Sequence, residues 1–211
     1  MMERTREYAE EVANALSHGL GALASVVGGA VLLALALRTG SPRRLLCAAV
    51  YAGSLVLLYA ASTLYHAARR PTVRARLRVL DHCAIFVLIA GTYTPFALLT
   101  LRGHGGRWLF TVVWVLAAVG VVLKLFLTGR YERLSTLMYL GMGWLALTAA
   151  VPLVRALPAR AVVFIVLGGL CYTAGTFFFH SRRIPYAHAI WHGFVLAGSA
   201  FHFAAVVGQI A

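Results

Sequence analysis

The chain has 211 residues, of which 61% are hydrophobic and only 12% charged, with 19 Lys and Arg against 6 Asp and Glu. About a quarter of the residues in an ordinary soluble domain are charged, so this composition argues against a soluble globular domain and excludes a disordered chain. Because the basic residues form short clusters between long apolar runs, they indicate the flanks of membrane spans and not a nucleic-acid-binding surface.

Seven apolar runs are each long enough to cross a bilayer as a helix, which takes about 20 residues. They cover residues 16–37, 45–66, 81–101, 108–128, 134–154, 161–180 and 188–210. Because the connections are short, we predict an all-α bundle of seven antiparallel transmembrane helices in a single membrane domain over residues 1–211. Residues 1–15 are predicted to be a cytoplasmic segment, either an interfacial helix or a solvated tail. Four glutamates in this segment argue against a signal peptide.

The distribution of Lys and Arg predicts the orientation of the bundle. The amino-terminal side carries 12 of these residues and the opposite side 7. Lys124 lies inside the fourth run and is counted on the amino-terminal side, because we expect its side chain to reach out to the interface. The amino terminus is therefore predicted to be cytoplasmic and the carboxyl terminus to lie outside.

Two prolines predict interruptions of the spans. Pro95 removes a backbone hydrogen bond inside the third run and clashes with the carbonyl of Gly91, which predicts a kink. Thr92 and Thr94 could satisfy the freed backbone groups. Pro152 lies near the end of the fifth run and predicts a helix boundary.

Ionisable residues concentrate at one end of the predicted bundle, where they mark function by default because charges are costly in a membrane. With the topology above, the following residues all lie in the cytoplasmic layer: His18, His66, Asp81, His82, His180, His188 and His192. The sequence assigns no role to His180, nor to His202, which lies deep in the seventh run.

The spacing of these residues predicts a metal site. His188 and His192 stand at i and i+4 on one helix face, and His66 from another helix could complete the three-ligand set of a catalytic zinc that keeps its fourth position for water. Asp81 could hold that water as a general base, and Ser62 could donate a hydrogen bond near the ligands or contact the substrate. Three further residues are possible hydrogen-bonding partners around the site: Asn14, His18 and His82. Interfacial anchoring at helix ends is the alternative for individual histidines.

Short motifs follow one another along nearly the whole chain. They are Glu11-x-x-Asn14-x-x-Ser17-His18-Gly19, Ser62-x-x-x-His66, Leu80-Asp81-His82, Gly91-Thr92-Tyr93-Thr94-Pro95-Phe96, His188-x-x-x-His192-Gly193-Phe194, Gly198-Ser199 and His202-Phe203. Together they resemble the haemolysin III proteins, which are the bacterial branch of the family that contains the progestin and adipoQ receptors.

The resemblance implies a seven-helix protein of the bacterial inner membrane with its amino terminus inside. It also implies a zinc ion near the cytoplasmic face, held by His66, His188 and His192. Asp81 matches the family's aspartate, which contacts the zinc-bound water, and Ser62 matches its serine. Because the wider superfamily includes alkaline ceramidases, the resemblance implies a candidate zinc-dependent hydrolase of lipid amides or esters.

Three other functions remain open at this stage. The chain could be a non-enzymatic membrane regulator or receptor with structural zinc, or a cytolytic factor as the haemolysin label suggests. The outer halves of the predicted helices are nearly all apolar, which argues against a wide pore within one monomer. Paired histidines could also bind haem iron.

Overall fold

The computed structural model describes residues 2–211, and within that range the chain forms helices and no strand. The α-helices of this range are α1 (Met2–Arg38), α2 (Pro42–Ala67), α3 (Pro71–Pro95), α4 (Gly106–Leu127), α5 (Glu132–Trp144), α6 (Ala150–Ala156), α7 (Ala159–Phe179) and α8 (Ala187–Ile210). Seven segments of it are long and apolar enough to span a membrane, and α5 and α6 together make the fifth. The prediction of an all-α protein with seven spans is thus confirmed.

Two helices begin well before the apolar runs that predicted them. The helix α1 begins at Met2 instead of residue 16, so the described part of the segment 1–15 continues the first helix. The helix α3 begins at Pro71 instead of residue 81. Glu and Arg sustain a helix as readily as most apolar residues, and Pro suits the first helical position. Hydropathy therefore delimits the part of a helix that lies in hydrocarbon and not the whole helix.

The four helices α1, α2, α3 and α8 pack together and form the core, with α4 against α3 and α7 against α8. Tyr51 of α2 and Phe86 of α3 are among the large side chains that are fully buried there. The helices α5, α6 and α7 direct large apolar side chains outward, including Leu137, Val151 and Phe177, and the outer faces of α1 and α4 do the same. Such side chains suit contact with lipid tails.

The predicted interruption at Pro95 takes the form of a change in helix type. The α-helical pattern of α3 ends at Pro95 and continues as a π-helical turn over Phe96–Thr100. The hydroxyls of Thr92 and Thr94 donate to the carbonyls four residues before them, at 2.8 and 2.9 Å. They bond carbonyls of the preceding turn and not that of Gly91, which Pro95 leaves without its usual partner.

The fifth span is broken, contrary to the prediction of one continuous helix over residues 134–154. A 3-10 turn over Leu145–Ala149 separates α5 from α6, and Pro152 lies inside α6 and does not mark its end. Pro152 has no N–H for the carbonyl four residues before it, which favours a break upstream. The hydroxyl of Tyr93 satisfies backbone groups at this break. It accepts a hydrogen bond from the N–H of Ala146 at 2.8 Å and donates one to the carbonyl oxygen of Gly143 at 2.7 Å.

The expectation that Lys124 reaches the interface was wrong, since only 3% of this residue is exposed. Its side chain lies close enough to Glu132 and Arg78 for electrostatic interaction. Glu132 also pairs with Arg78, with 2.8 Å between Oε1 and Nη2. The half-exposed carboxylate of Glu132 thus offers the ammonium group of Lys124 a partner of opposite charge.

Candidate metal centre

Three histidines from two helices come together at one end of the bundle. His66 lies in the last turn of α2, and His188 and His192 lie in the first two turns of α8. One ring nitrogen from each lies within 4.8 Å of the other two, and among the described residues this is the one group of His, Cys, Asp and Glu side chains that could hold a metal ion. His66 and His192 are buried and His188 is half-buried.

A carboxylate fixes the position of the ring hydrogen on His66. Its Nδ1 lies 2.8 Å from Oε2 of Glu11. Because a carboxylate only accepts hydrogen bonds, Nδ1 carries the hydrogen and the lone pair of Nε2 is free. Within the described chain, Nε2 is buried and has no hydrogen-bond partner. A buried nitrogen without a partner is costly, and a metal ion would satisfy it.

A backbone carbonyl fixes the second ligand in the same way. Nδ1 of His192 lies 3.2 Å from the carbonyl oxygen of Asn14 and 3.0 Å from Oγ of Ser17. The carbonyl can only accept, so this Nδ1 also carries the hydrogen and its Nε2 lone pair is available. Neutral imidazoles held by such outer partners are typical zinc ligands. The residues present therefore fit a zinc ion.

Asp81 and Ser62 line a cavity beside the three histidines. The carboxyl of Asp81, in α3, interacts with the side chain of Ser62 and lies near His66. The carboxylate oxygens of Asp81 do not belong to the group of histidine nitrogens that lie within 4.8 Å of one another. The structure thus brings Asp81 next to the group of predicted ligands without making it a member.

The three residues expected around the site occupy different positions. Asn14 contacts His192 through its backbone only, and its side-chain Oδ1 is buried without a partner in the described structure. His18 stacks on His192, with ring centroids 3.4 Å apart, and both of its ring nitrogens are buried and unpaired there. His82 lines the cavity but lies outside the group of three.

The two histidines without a predicted role connect helices elsewhere. Nε2 of His180 lies 3.0 Å from Oγ1 of Thr136 in α5. Nε2 of His202 lies 3.2 Å from the carbonyl oxygen of Ile165 in α7. A Cβ at Gly168 would overlap the His202 ring, so glycine makes this approach of α7 and α8 possible.

The sequence prediction omitted Glu11 and Ser17 from the site. Glu11, Asn14 and His18 follow one another at spacings of three and four residues and so share one face of α1, which is the signal that the sequence offers. Their contacts to the site, however, join residues that are far apart in sequence: Glu11 and His66 are 55 residues apart, and Ser17 and His192 are 175. A local pattern cannot identify such partners.

A cavity of about 270 Å³ is lined by two of the three histidines, His188 and His192. It is lined by His18 and Asp81 at the histidine end and extends to Leu109 and Leu157 towards the other end of the bundle. Most of its lining is apolar. The carboxyl of Asp81 and most of the cavity's histidines lie at the histidine end, whereas Tyr172 and His202 line it farther along. A mostly apolar cavity with most of its ionisable groups at one end fits a ligand that has a hydrocarbon chain and a polar head.

Comparison with known proteins gives relatives over nearly the whole chain. A family model described as "Haemolysin-III related" matches residues 6–203. The chain is 42% identical over 207 residues to "Hemolysin-3" of Bacillus cereus, covering 98% of this chain and 94% of that protein. It is 43% identical over 198 residues to "Hemolysin-3 homolog" of Bacillus subtilis (strain 168), covering 94% and 93%. The human "Monocyte to macrophage differentiation factor" is 28% identical over 205 residues, covering 93% and 83%.

Proposed function

Because the chain belongs to the haemolysin III family, as its motifs predicted, we propose that it is a zinc-dependent membrane hydrolase of lipid amides or esters. The observation that carries this proposal is the position of three histidines that could hold a metal ion, two of which line a mostly apolar cavity together with Asp81. The substrate would place its hydrocarbon chain in the cavity and its carbonyl group beside the histidines.

Zinc would be held by Nε2 of His66 and of His192 together with a ring nitrogen of His188. When bound, it supplies a Lewis acid that polarises the substrate carbonyl and increases the acidity of water. Both Nε2 lone pairs stay available to the metal, because the Glu11 carboxylate accepts the Nδ1 hydrogen of His66 and the Asn14 carbonyl accepts that of His192.

Asp81 would act as the general base. A carboxylate oxygen of Asp81 accepts a proton from the water that attacks the substrate carbonyl, and then returns it to the leaving amine or alcohol. The Ser62 hydroxyl, which interacts with this carboxyl, holds its orientation. His18 lines the same cavity with unpaired ring nitrogens and would bind the polar group of the substrate.

We place this site at the cytoplasmic face of the bacterial plasma membrane. The support is the charge distribution, with 12 Lys and Arg on the side of the amino terminus and 7 on the other. Fusions of alkaline phosphatase and green fluorescent protein to the carboxyl terminus test it. Active phosphatase and absent fluorescence are expected, and the reverse result would reject the orientation.

Hydrolysis by purified protein tests the proposed activity. The zinc-loaded protein is offered a panel of N-acyl and ester lipids, and product fatty acid is measured. Asp81→Asn should lower kcat by about 10²- to 10⁴-fold while zinc content is unchanged, since a general base contributes that much. Glu7→Gln, which removes an exposed acid outside the site, is the matched control and should retain activity. Absence of turnover in the zinc-loaded protein, or full turnover in Asp81→Asn, would reject the hydrolase.

The names of the Bacillus relatives favour a second candidate function, cytolysis. Release of haemoglobin from red cells by the purified protein tests it, with zinc-free protein and Asp81→Asn in parallel. Lysis that persists in both samples would separate cytolysis from the metal site. Zinc that stabilises the protein without any turnover or lysis would instead indicate a membrane regulator with a structural metal.

A further inference from the structure

The helix α1 contributes none of the three histidines. It does supply the hydrogen-bond partners of Nδ1 in two of them, His66 and His192. Glu11 bonds Nδ1 of His66, and the Asn14 carbonyl and Ser17 hydroxyl contact Nδ1 of His192. We propose that Glu11 is a positioning residue that sets the metal affinity of the site through His66. This inference rests on the proposed zinc site and adds to it a residue that is not a ligand.

The carboxylate of Glu11 is held on both of its oxygens. Oε2 lies 2.8 Å from Nδ1 of His66, and Oε1 lies 2.7 Å from Nη2 of Arg74 in α3. Arg74 is itself fixed, because its guanidinium lies over the ring of Tyr65 at 4.8 Å from the centroid. Since one oxygen is tied to α3, the other is directed at the ligand on α2.

A charged acceptor at Nδ1 does more than orient the ring. It makes the imidazole a stronger base at Nε2, and loss of such an outer partner typically costs 10- to 100-fold in metal affinity. The amide of a glutamine could still accept from Nδ1, but it has no charge and would also need a new arrangement with Arg74. Glu11→Gln thus tests the charge while it keeps the shape of the side chain.

The amino-terminal part of α1 has further contacts that do not depend on Glu11. The Tyr8 hydroxyl accepts from Arg69 at 3.1 Å, and Oε1 of Glu10 accepts from the backbone N–H of Tyr186 at 3.3 Å. These bonds join α1 to the connections that precede α3 and α8. We therefore expect α1 to stay docked when Glu11 alone is changed.

Competition with a chromophoric zinc chelator on the purified full chain tests the inference. Glu11→Gln and Glu11→Ala should bind zinc about 10- to 100-fold more weakly than the wild type. Glu10→Gln is the matched control, because it removes a neighbouring acid that contacts no histidine, and it should bind as the wild type does. Arg74→Met, which keeps the bond between Glu11 and His66, should have a smaller effect than Glu11→Gln.

The melting temperature of the zinc-free variants separates positioning from simple helix pairing. If Glu11 only joined α1 to α3, Glu11→Gln and Arg74→Met would lower this temperature equally and leave zinc affinity unchanged, which would overturn the inference. A wild type that binds no zinc would overturn the proposed function and this inference with it. A wild type that binds zinc no better than Glu11→Gln would overturn the inference alone.

Discussion

Two parts of the bundle treat their buried polar groups in opposite ways. Farther along α8 lies a deep polar cluster whose members bond to each other or to backbone: Tyr59, Tyr172, Ser199 and His202. At the histidine end, the buried atoms without a partner in the described chain are Oδ1 of Asn14, both ring nitrogens of His18 and Nε2 of His66. The Tyr51 hydroxyl is the exception outside that end.

This difference in hydrogen bonding indicates that the polar groups of the deep polar cluster serve packing, whereas those at the histidine end are available to a ligand. Burying a polar group costs free energy unless it is hydrogen-bonded, so a protein that only had to fold would pair all of them. The deep polar cluster meets this rule and the histidine end does not. We therefore expect changes at the histidine end to alter zinc binding, and changes in the deep polar cluster to alter stability.

The largest effect is expected from His192→Ala compared with His202→Ala. Loss of a ligand should weaken zinc binding by more than about 100-fold, since the loss of an outer partner alone can cost that much. His202→Ala removes a histidine of the same helix that bonds backbone, and it should keep the zinc. Elemental analysis after gel filtration measures both. Equal zinc content in the two variants would reject the distinction between a metal-binding histidine end and a deep polar cluster that serves packing.

Removal of zinc by a chelator should destabilise the wild type. Zinc at about 100 times its Kd contributes roughly 2.7 kcal/mol to the folded state, and its removal leaves buried nitrogens unsatisfied. Thermal unfolding with and without chelator measures the change. His192→Ala serves as the control, because its melting temperature should not respond to zinc.

Gly168→Ala should destabilise the protein without changing zinc affinity. The added methyl group would overlap the His202 ring, and overpacking of this kind typically costs about 1–3 kcal/mol. A Cβ at Gly141 would meet no atom within 4 Å, so Gly141→Ala is the matched control and should not destabilise. Unfolding in a detergent titration compares them, and weaker zinc binding in Gly168→Ala would show that the two parts are coupled.

Tyr59→Phe should have the smallest effect. It removes the hydrogen bond of 2.7 Å to Ser199, which still has Tyr172 as a partner at 2.8 Å. Such bonds in membrane proteins contribute about 0.6 kcal/mol on average. The same unfolding titration should detect a loss of about that size with unchanged zinc affinity. A loss of zinc instead would mean that the deep polar cluster supports the site.

The sequence was sufficient to predict the spans and the convergence of the three histidines. Long apolar runs identify spans because hydrocarbon tolerates little else, and short connections force neighbouring helices to alternate in direction. That alternation brings His66, at the end of one run, to the same layer as His188 and His192, at the start of another. The i, i+4 spacing of the last two then places both on one face of α8.

The remaining features depend on contacts between helices, which hydropathy does not contain. The break between α5 and α6 needs the hydroxyl of Tyr93 from α3, and the burial of Lys124 needs the acid Glu132 nearby. Local sequence does not predict the role of Glu11, because its contacts with His66 and Arg74 form only when α1, α2 and α3 pack together. Charged residues beside a span can thus belong to the site as well as to the interface.

The Tyr93 hydroxyl has a mechanical consequence for the cavity it lines. It bonds backbone groups of Gly143 in α5 and of Ala146 in the following 3-10 turn, so sliding of the fifth span past α3 would leave these groups unsatisfied at a cost of several kcal/mol. Tyr93 therefore ties α3 to the fifth span at the break between α5 and α6, where Tyr93, Gly143 and Ala146 all line the cavity.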